Sequence, residues 1–149
     1  MSNYNETMMK QMQTISLISK IRANANKFIL ADLSRHGIKK LSPSHGDILA
    51  CLYQKEQVTM KEIADAIHRS KPTVTVLVNK LVELNLVKKK QASDDSRVVY
   101  VELTSQGKEL RKVFEEVSVN LAQKVFQNLE PAEIKNMEAS LKKILANLE

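Results

Sequence analysis

The sequence predicts a mainly α protein with a small β wing: a winged helix-turn-helix unit held between long N- and C-terminal dimerisation helices. Three observations carry that expectation. Two helix-start signatures follow one another closely, at Thr59-Met60-Lys61-Glu62 and at Ser70-Lys71-Pro72. A short basic run, a turn-rich stretch and a β-branched run come next, in the order of a hairpin. Both ends of the chain carry apolar residues at a helical period, over lengths that a small domain cannot cover by itself.

Thr14 to Leu33 places Ile15, Ile18, Ile21, Ala25, Phe28, Ile29 and Leu33 on one helical stripe, and His36-Gly37 suits its end. Ser42-Pro43 reads as an N-cap with proline in the first helical position, opening a helix that buries Ile48, Leu49, Leu52 and Tyr53. Thr59 and Glu62 fit a capping box, and Ile63, Ala64 and Ile67 give the short helix Thr59–Ile67 its apolar side. His68-Arg69-Ser70 is the turn. Ser70 caps the next helix, about 70–84, which ends where Asn85 can adopt a left-handed conformation. Leu86 to Gln91 and the run containing Val99, Val101 and Leu103 form the wing, about 86–103, around the polar tip Ala92 to Ser96. Leu110, Val113, Phe114, Val117, Leu121, Val125 and Leu129 mark another long helix, and Glu130-Pro131 starts a last one bearing Ile134, Met137, Leu141, Ile144, Leu145 and Leu148. The chain thus divides into residues 1–40, 41–104 and 105–149 within one compact domain, and pairing of two copies is the economical way to cover its terminal stripes.

With 149 residues there is room for one domain with a real core. A single cysteine makes no internal disulfide, the polar Met1 to Gln13 is no signal peptide, and no apolar run is long enough for a membrane span. These features point to a soluble cytoplasmic protein. A net charge of +6 favours a polyanionic partner. The charge is not a block in the helix-turn-helix, however: residues 1–40 carry seven Lys or Arg against two acids, and residues 55–104 nine against seven. Folding has to gather the basic groups of the second stretch onto one face. No glycine-rich phosphate loop, nucleophile elbow, paired-carboxylate setting or metal cluster is legible, so the sequence gives no support to catalysis or to a cofactor.

Asp95-x-Arg97, Leu103-Thr104 and Gly107, with Leu86-Val87 before the basic run and Thr73-Val74-Thr75 in the second helix, are similar to the MarR family of bacterial transcription regulators. The resemblance extends over essentially the whole chain. It implies a triangular homodimer with interlocked terminal helices, whose two winged units meet the halves of a pseudo-palindromic site in double-stranded DNA. Two positions depart from the family pattern. Val76 stands where many relatives have a basic residue, and Asn85 replaces a glycine.

The candidate DNA-binding residues are Ser70, Lys71, Pro72, Thr73, Thr75, Val76, Asn79 and Lys80 on the outward helix face, Lys88, Lys89 and Lys90 along the first wing strand, and Asp95 and Arg97 at the tip. Threonine methyls can pack on thymine, lysine can reach guanine acceptors, and lysines beside phosphates supply affinity. The alternatives are a solvated helix face and a strand edge that lysines protect from aggregation. The resemblance implies that Arg97 enters the minor groove with Asp95 holding its guanidinium; an exposed ion pair of little consequence is the other reading. Cys51 reads as a buried structural thiol, and the cysteine that peroxide-sensing relatives use is missing. His36, His45 and His68 match no closed zinc pattern, and the histidine pair of zinc-sensing relatives is absent. Met8, Met9 and Met12 read as flexible core filling, with a hydrophobic ligand as the alternative.

The function expected is therefore a sequence-specific DNA-binding regulator, and the resemblance implies a repressor released by a small anionic or aromatic ligand. His45, Tyr53 and the first helix are the candidates for that ligand's cleft. Two alternatives stay open: a redox- or metal-responsive sensor of the same family, and a winged-helix protein-interaction module without DNA binding.

Overall fold

The computed structural model describes residues 2–149, apart from the side chains of residues 2–4 and 10–12. Seven helices and three strands follow in the order α1 (Ser2–Arg35), α2 (Pro43–Gln54), β1 (Gln57–Thr59), α3 (Met60–Ile67), α4 (Lys71–Glu83), β2 (Val87–Gln91), β3 (Val99–Leu103), α5 (Ser105–Glu109), α6 (Arg111–Val125) and α7 (Pro131–Ala146). The sheet is antiparallel with strand order β1-β3-β2, so β3 is central. Val58 and Lys89 both sit opposite Val101 in its registers.

The caps explain most of the boundaries. Glu62 N–H donates to Thr59 Oγ1 at 3.1 Å, and Thr59 N–H donates to the Glu62 carboxylate at 2.7 Å, a closed capping box that fixes the start of α3. At the start of α2 the same device uses a histidine: Ser42 N–H and Ser42 Oγ–H both donate to His45 Nδ1, at 2.9 and 2.8 Å. Left-handed residues follow four elements: Gly37 (φ 80°) after α1, His68 (φ 51°) after α3, Asn85 (φ 58°) after α4 and Asn128 (φ 64°) after α6. Asparagine is the residue that most readily replaces glycine there.

One core lies under the helix-turn-helix. Ile48, Leu49, Leu52, Ile63, Val74, Val78, Leu81 and Val101 are buried and pack together with Leu86 and Val87. Each such side chain contributes roughly 1.5–3 kcal/mol relative to exposure. α1 joins this body through α6. Asp32, only 3% exposed, accepts from Asn120 Nδ2 at 2.9 Å and from Arg35 Nη1 at 3.3 Å.

Several expectations are corrected. α1 begins at Ser2 rather than near Thr14, because the polar stretch contains no glycine or proline and is rich in straight-chain residues that favour helix. The strand β1 was not legible, being three residues long. The helix expected from Leu110 to Leu129 is α6, which stops at Val125, and ahead of it Thr104 Oγ1 accepts from Gly107 N–H and opens a separate short helix, α5. Met8 and Met9 are 51% and 71% exposed and fill no core within one copy; Met12 falls outside the described side chains. Cys51 is half-buried rather than buried.

The terminal helices leave their stripes open. Ile15, Ile18 and Ile21 of α1, Val119 and Val125 of α6, and Met137, Leu141 and Leu145 of α7 are exposed, and α7 has no buried residue. The accessible surface is 11169 Å² for a 16.9 kDa chain. A compact monomer of that mass exposes about 7,700 Å². No described helix is long and apolar enough to cross a membrane.

Candidate nucleic-acid interface

Ser70 caps α4, and its Oγ lies 2.9 Å from Thr73 Oγ1, so the two hydroxyls hold each other. Val74, Val78 and Leu81 then bury one side of the helix. Helical geometry turns Lys71, Pro72, Thr73, Thr75, Val76 and Asn79 to solvent, all of them exposed. Lys80 differs from this expectation. It is half-buried and bound to Glu83 at 3.2 Å, on the edge of the face rather than in it.

Between α4 and the wing runs a groove of about 600 Å³, lined by Lys61, Lys71, Thr75, Lys89 and Arg97 over a floor that includes Met60, Val98 and Val99. Four cations line it and no carboxylate does. Folding has therefore gathered the scattered positive charge that the sequence alone left dispersed. Lys61 belongs to this group although sequence reasoning passed it over. Its place in the first turn of a capped helix was the available signal.

The three-lysine run divides by strand alternation. Lys89 turns towards α4 and donates to Asn79 Oδ1 at 2.5 Å. Lys88 and Lys90 turn to the opposite face of the hairpin, where Lys88 pairs with Glu102 at 3.4 Å, and both line a second groove with Tyr53, Lys108 and Arg111. A run expected to act as one unit thus serves two faces, because successive side chains of a strand point opposite ways.

At the wing tip, Asp95 takes three hydrogen bonds from Arg97: from its backbone N–H at 2.9 Å, its Nε at 3.1 Å and an Nη at 3.3 Å. The Arg97 side chain is otherwise 89% exposed. These bonds hold the Asp95 carboxyl below its ordinary pKa, so it stays ionised and keeps the guanidinium aimed outward. Gln91 Nε2 donates to Ser96 O at 2.6 Å, and Ala92 N–H donates to Val98 O at 2.9 Å, closing the turn behind them.

The two residues expected near a ligand separate. His45 is 8% exposed, and its Nδ1 is occupied as the α2 cap acceptor. Burial, then Lys80, lowers its pKa and keeps the ring neutral. Tyr53 does line open space: a groove of about 510 Å³ between α2 and α6, shared with Ile29, Asp47, Arg111 and Phe114. Its hydroxyl donates to Gly107 O at 3.0 Å, Phe114 lies 6.1 Å from its ring centre, and the Arg111 guanidinium stands 5.9 Å from the ring centroid. Burial pushes the phenol up to about 12, against the opposing pull of Arg111. The Cys51 thiol is also raised, by burial and then by Asp47, which lowers its nucleophilic fraction. Among the described residues no three His, Cys, Asp or Glu side chains converge.

The sequence profile of the MarR family matches residues 41–99, from the end of the α1–α2 connection into β3. Over that stretch the chain is similar to the MarR family. HTH-type transcriptional regulator MhqR of Bacillus subtilis (strain 168) is 26% identical over 98 residues, which are 66% of this chain and 66% of that protein. The uncharacterized HTH-type transcriptional regulator YhjH of the same organism is 30% identical over 79 residues, 52% of this chain and 45% of that protein. The match thus spans less than two thirds of either relative's own length. The MepR–DNA complex of S. aureus superposes with a TM-score of 0.80 at 26% identity, over 90% of this chain and 96% of that one. MarR-family members are transcriptional regulators rather than enzymes.

The residues that carry the resemblance also have physical roles in this fold. Thr104 Oγ1–H donates to Asn85 O at 2.6 Å while accepting from Gly107 N–H at 3.0 Å, tying the end of α4 to the start of α5. Gly107 is required by contact: a Cβ there would lie 2.0 Å from the Leu86 carbonyl oxygen. The wing is thereby fixed at its base as well as ordered at its tip.

Proposed function

We propose that the chain is a sequence-specific regulator that binds double-stranded DNA as a homodimer. The observation that carries the reading is the α4–wing groove, lined by Lys61, Lys71, Lys89 and Arg97 with no carboxylate among its lining residues. In this reading α4 lies in the major groove, and Lys61, Lys71 and Lys89 neutralise phosphates beside it. Arg97, pre-aimed by Asp95, enters the adjacent minor groove. Lys88 and Lys90 face away and add long-range attraction only. The MepR–DNA complex, similar in fold, supports DNA as the partner.

Two copies pair through α1, α6 and α7. The surface in excess of a compact monomer is of the order that an obligate interface covers. A two-fold pair presents two α4 helices to successive major grooves about 34–36 Å apart and so reads a pseudo-palindromic site. Occupying a promoter blocks transcription, and the protein acts in the cytoplasm where the chromosome lies. A small anionic or aromatic ligand takes the groove beside Tyr53, Phe114 and Arg111, which lies between the winged body and the terminal helices. It releases DNA by favouring a pair geometry with the wrong helix spacing.

Sedimentation and promoter footprinting test this together. The expected result is a particle of twice the 16.9 kDa chain mass protecting a two-fold site upstream of its own gene or of neighbouring genes. A monomer at micromolar concentration, or protection no better than on random duplex, contradicts it.

A further inference from the structure

The hydroxyls on the outward face of α4, and the Asn79 side-chain oxygen, are engaged within the protein. Ser70 and Thr73 hydroxyls face each other at 2.9 Å, and the Thr75 hydroxyl donates back to Lys71 O at 3.0 Å. Asn79 Oδ1 is held by Lys89 at 2.5 Å. At the centre of this face stands Val76, 69% exposed, one and two turns from groups already engaged. A lone exposed valine is ordinary on a protein surface. A valine in the middle of a face whose hydroxyls are bound internally gives that face an apolar contact to read with.

The major groove offers one apolar group on its base edges, the thymine C5-methyl. We propose that Val76 is a specificity-determining residue that packs on a thymine C5-methyl at one fixed position in each half-site. The inference rests on the DNA-binding reading above and adds what the helix reads. Lys71 and Arg97 then supply affinity and placement, and Val76 supplies the choice of base.

The test uses the full-length chain and duplexes enriched by it from a random library. Deoxyuridine replaces thymidine at one symmetric pair of positions at a time, which removes the methyl and leaves base pairing unchanged. Binding is titrated for wild type, Val76→Ala and Arg97→Ala, with thermal melts confirming that each variant is folded. Burying one methyl is worth about fourfold, so loss of both should weaken wild-type binding about 15-fold at the position read. Val76→Ala should lose less than twofold on the same change. Arg97→Ala should bind more weakly throughout yet keep the 15-fold ratio. Full uracil sensitivity in Val76→Ala, or indifference of wild type at every position, overturns the inference while leaving the regulator reading intact. Failure to enrich any duplex overturns both.

Discussion

Gly107→Ala is the sharpest stability test of the wing base. The added Cβ would sit 2.0 Å from Leu86 O, 3.0 Å from the Leu86 carbonyl carbon and 3.1 Å from a Leu103 methyl. The first contact is with backbone, which has no rotamer to change, and that oxygen already accepts from Thr104 N–H at 3.0 Å. Relief therefore requires α5 to move by about 1 Å away from the start of β2. That shift strains the Gly107 N–H to Thr104 Oγ1 bond and the Tyr53 hydroxyl to Gly107 O bond, both 3.0 Å. Overpacking costs about 1–3 kcal/mol, each weakened bond adds about 1 kcal/mol, and the better helix propensity of alanine returns at most about 1 kcal/mol. The expected net loss is about 2–4 kcal/mol, or roughly 5–15 °C in Tm for a chain of this size. Urea denaturation at fixed protomer concentration measures it. Gly46→Ala is the internal control: its Cβ would meet only the Phe114 ring edge at 3.2 Å, within a helix, so a change within about 1 kcal/mol of zero is expected. A Gly107→Ala loss below about 0.5 kcal/mol, or one no larger than that of Gly46→Ala, would refute the close-approach argument.

Two further outcomes concern the junction of α1 and α6. Asn120→Ala leaves Asp32 Oδ2 buried without its 2.9 Å donor and should cost about 1–3 kcal/mol by denaturant melt, whereas Asp32→Asn in the same background should recover part of that loss; equal stability of wild type and Asn120→Ala would sink the idea. His36 has its pKa raised above the ordinary 6.5, first by its Nδ1–H bond to Asp32 O at 2.9 Å and then by Glu116 at 3.4 Å. A raised histidine stabilises fully below 6.5, and the contribution disappears as pH rises through the folded-state value. His45 is lowered, so its contribution has the opposite sign and is lost as pH falls below 6.5. The melting difference between wild type and His36→Gln should accordingly be largest near pH 5.5 and shrink by about pH 8.5; a difference that grows with pH contradicts the assignment.

Much of the fold was legible because its signals are local. Thr59 with Glu62, Ser42 with Pro43, and Asn85 after α4 each announce a boundary by chemistry confined to a few residues. What the sequence hid depends on neighbours distant in the chain. β1 is three residues that become a strand only because β3 offers an edge. The short helix α5 ahead of the expected Leu110 helix starts at Thr104, which is held by Asn85 O, nineteen residues earlier. The candidate site shows the same division. The Asp95–Arg97 pairing is implied by the family resemblance, and the exposed face of α4 follows from helical spacing. The separation of Lys89 from Lys88 and Lys90, the withdrawal of Lys80 to Glu83 and the inclusion of Lys61 do not, since each depends on where α3, α4 and the wing meet. His45 was misread for a similar reason: a histidine serving as a capping-box acceptor has no common sequence signature, although Ser42-Pro43 three residues before it was a hint.

In the function proposed, the α4–wing groove holds duplex DNA with Arg97 in the minor groove. The direct measurement is equilibrium binding to a footprinted site, for wild type and Arg97→Ala, between 50 and 300 mM salt. Wild type should prefer that site to random duplex and lose affinity steeply with salt, and Arg97→Ala should bind about tenfold more weakly with a log–log slope shallower by about two, one charge per copy. An Arg97→Ala protein with unchanged affinity and unchanged salt slope would contradict the account.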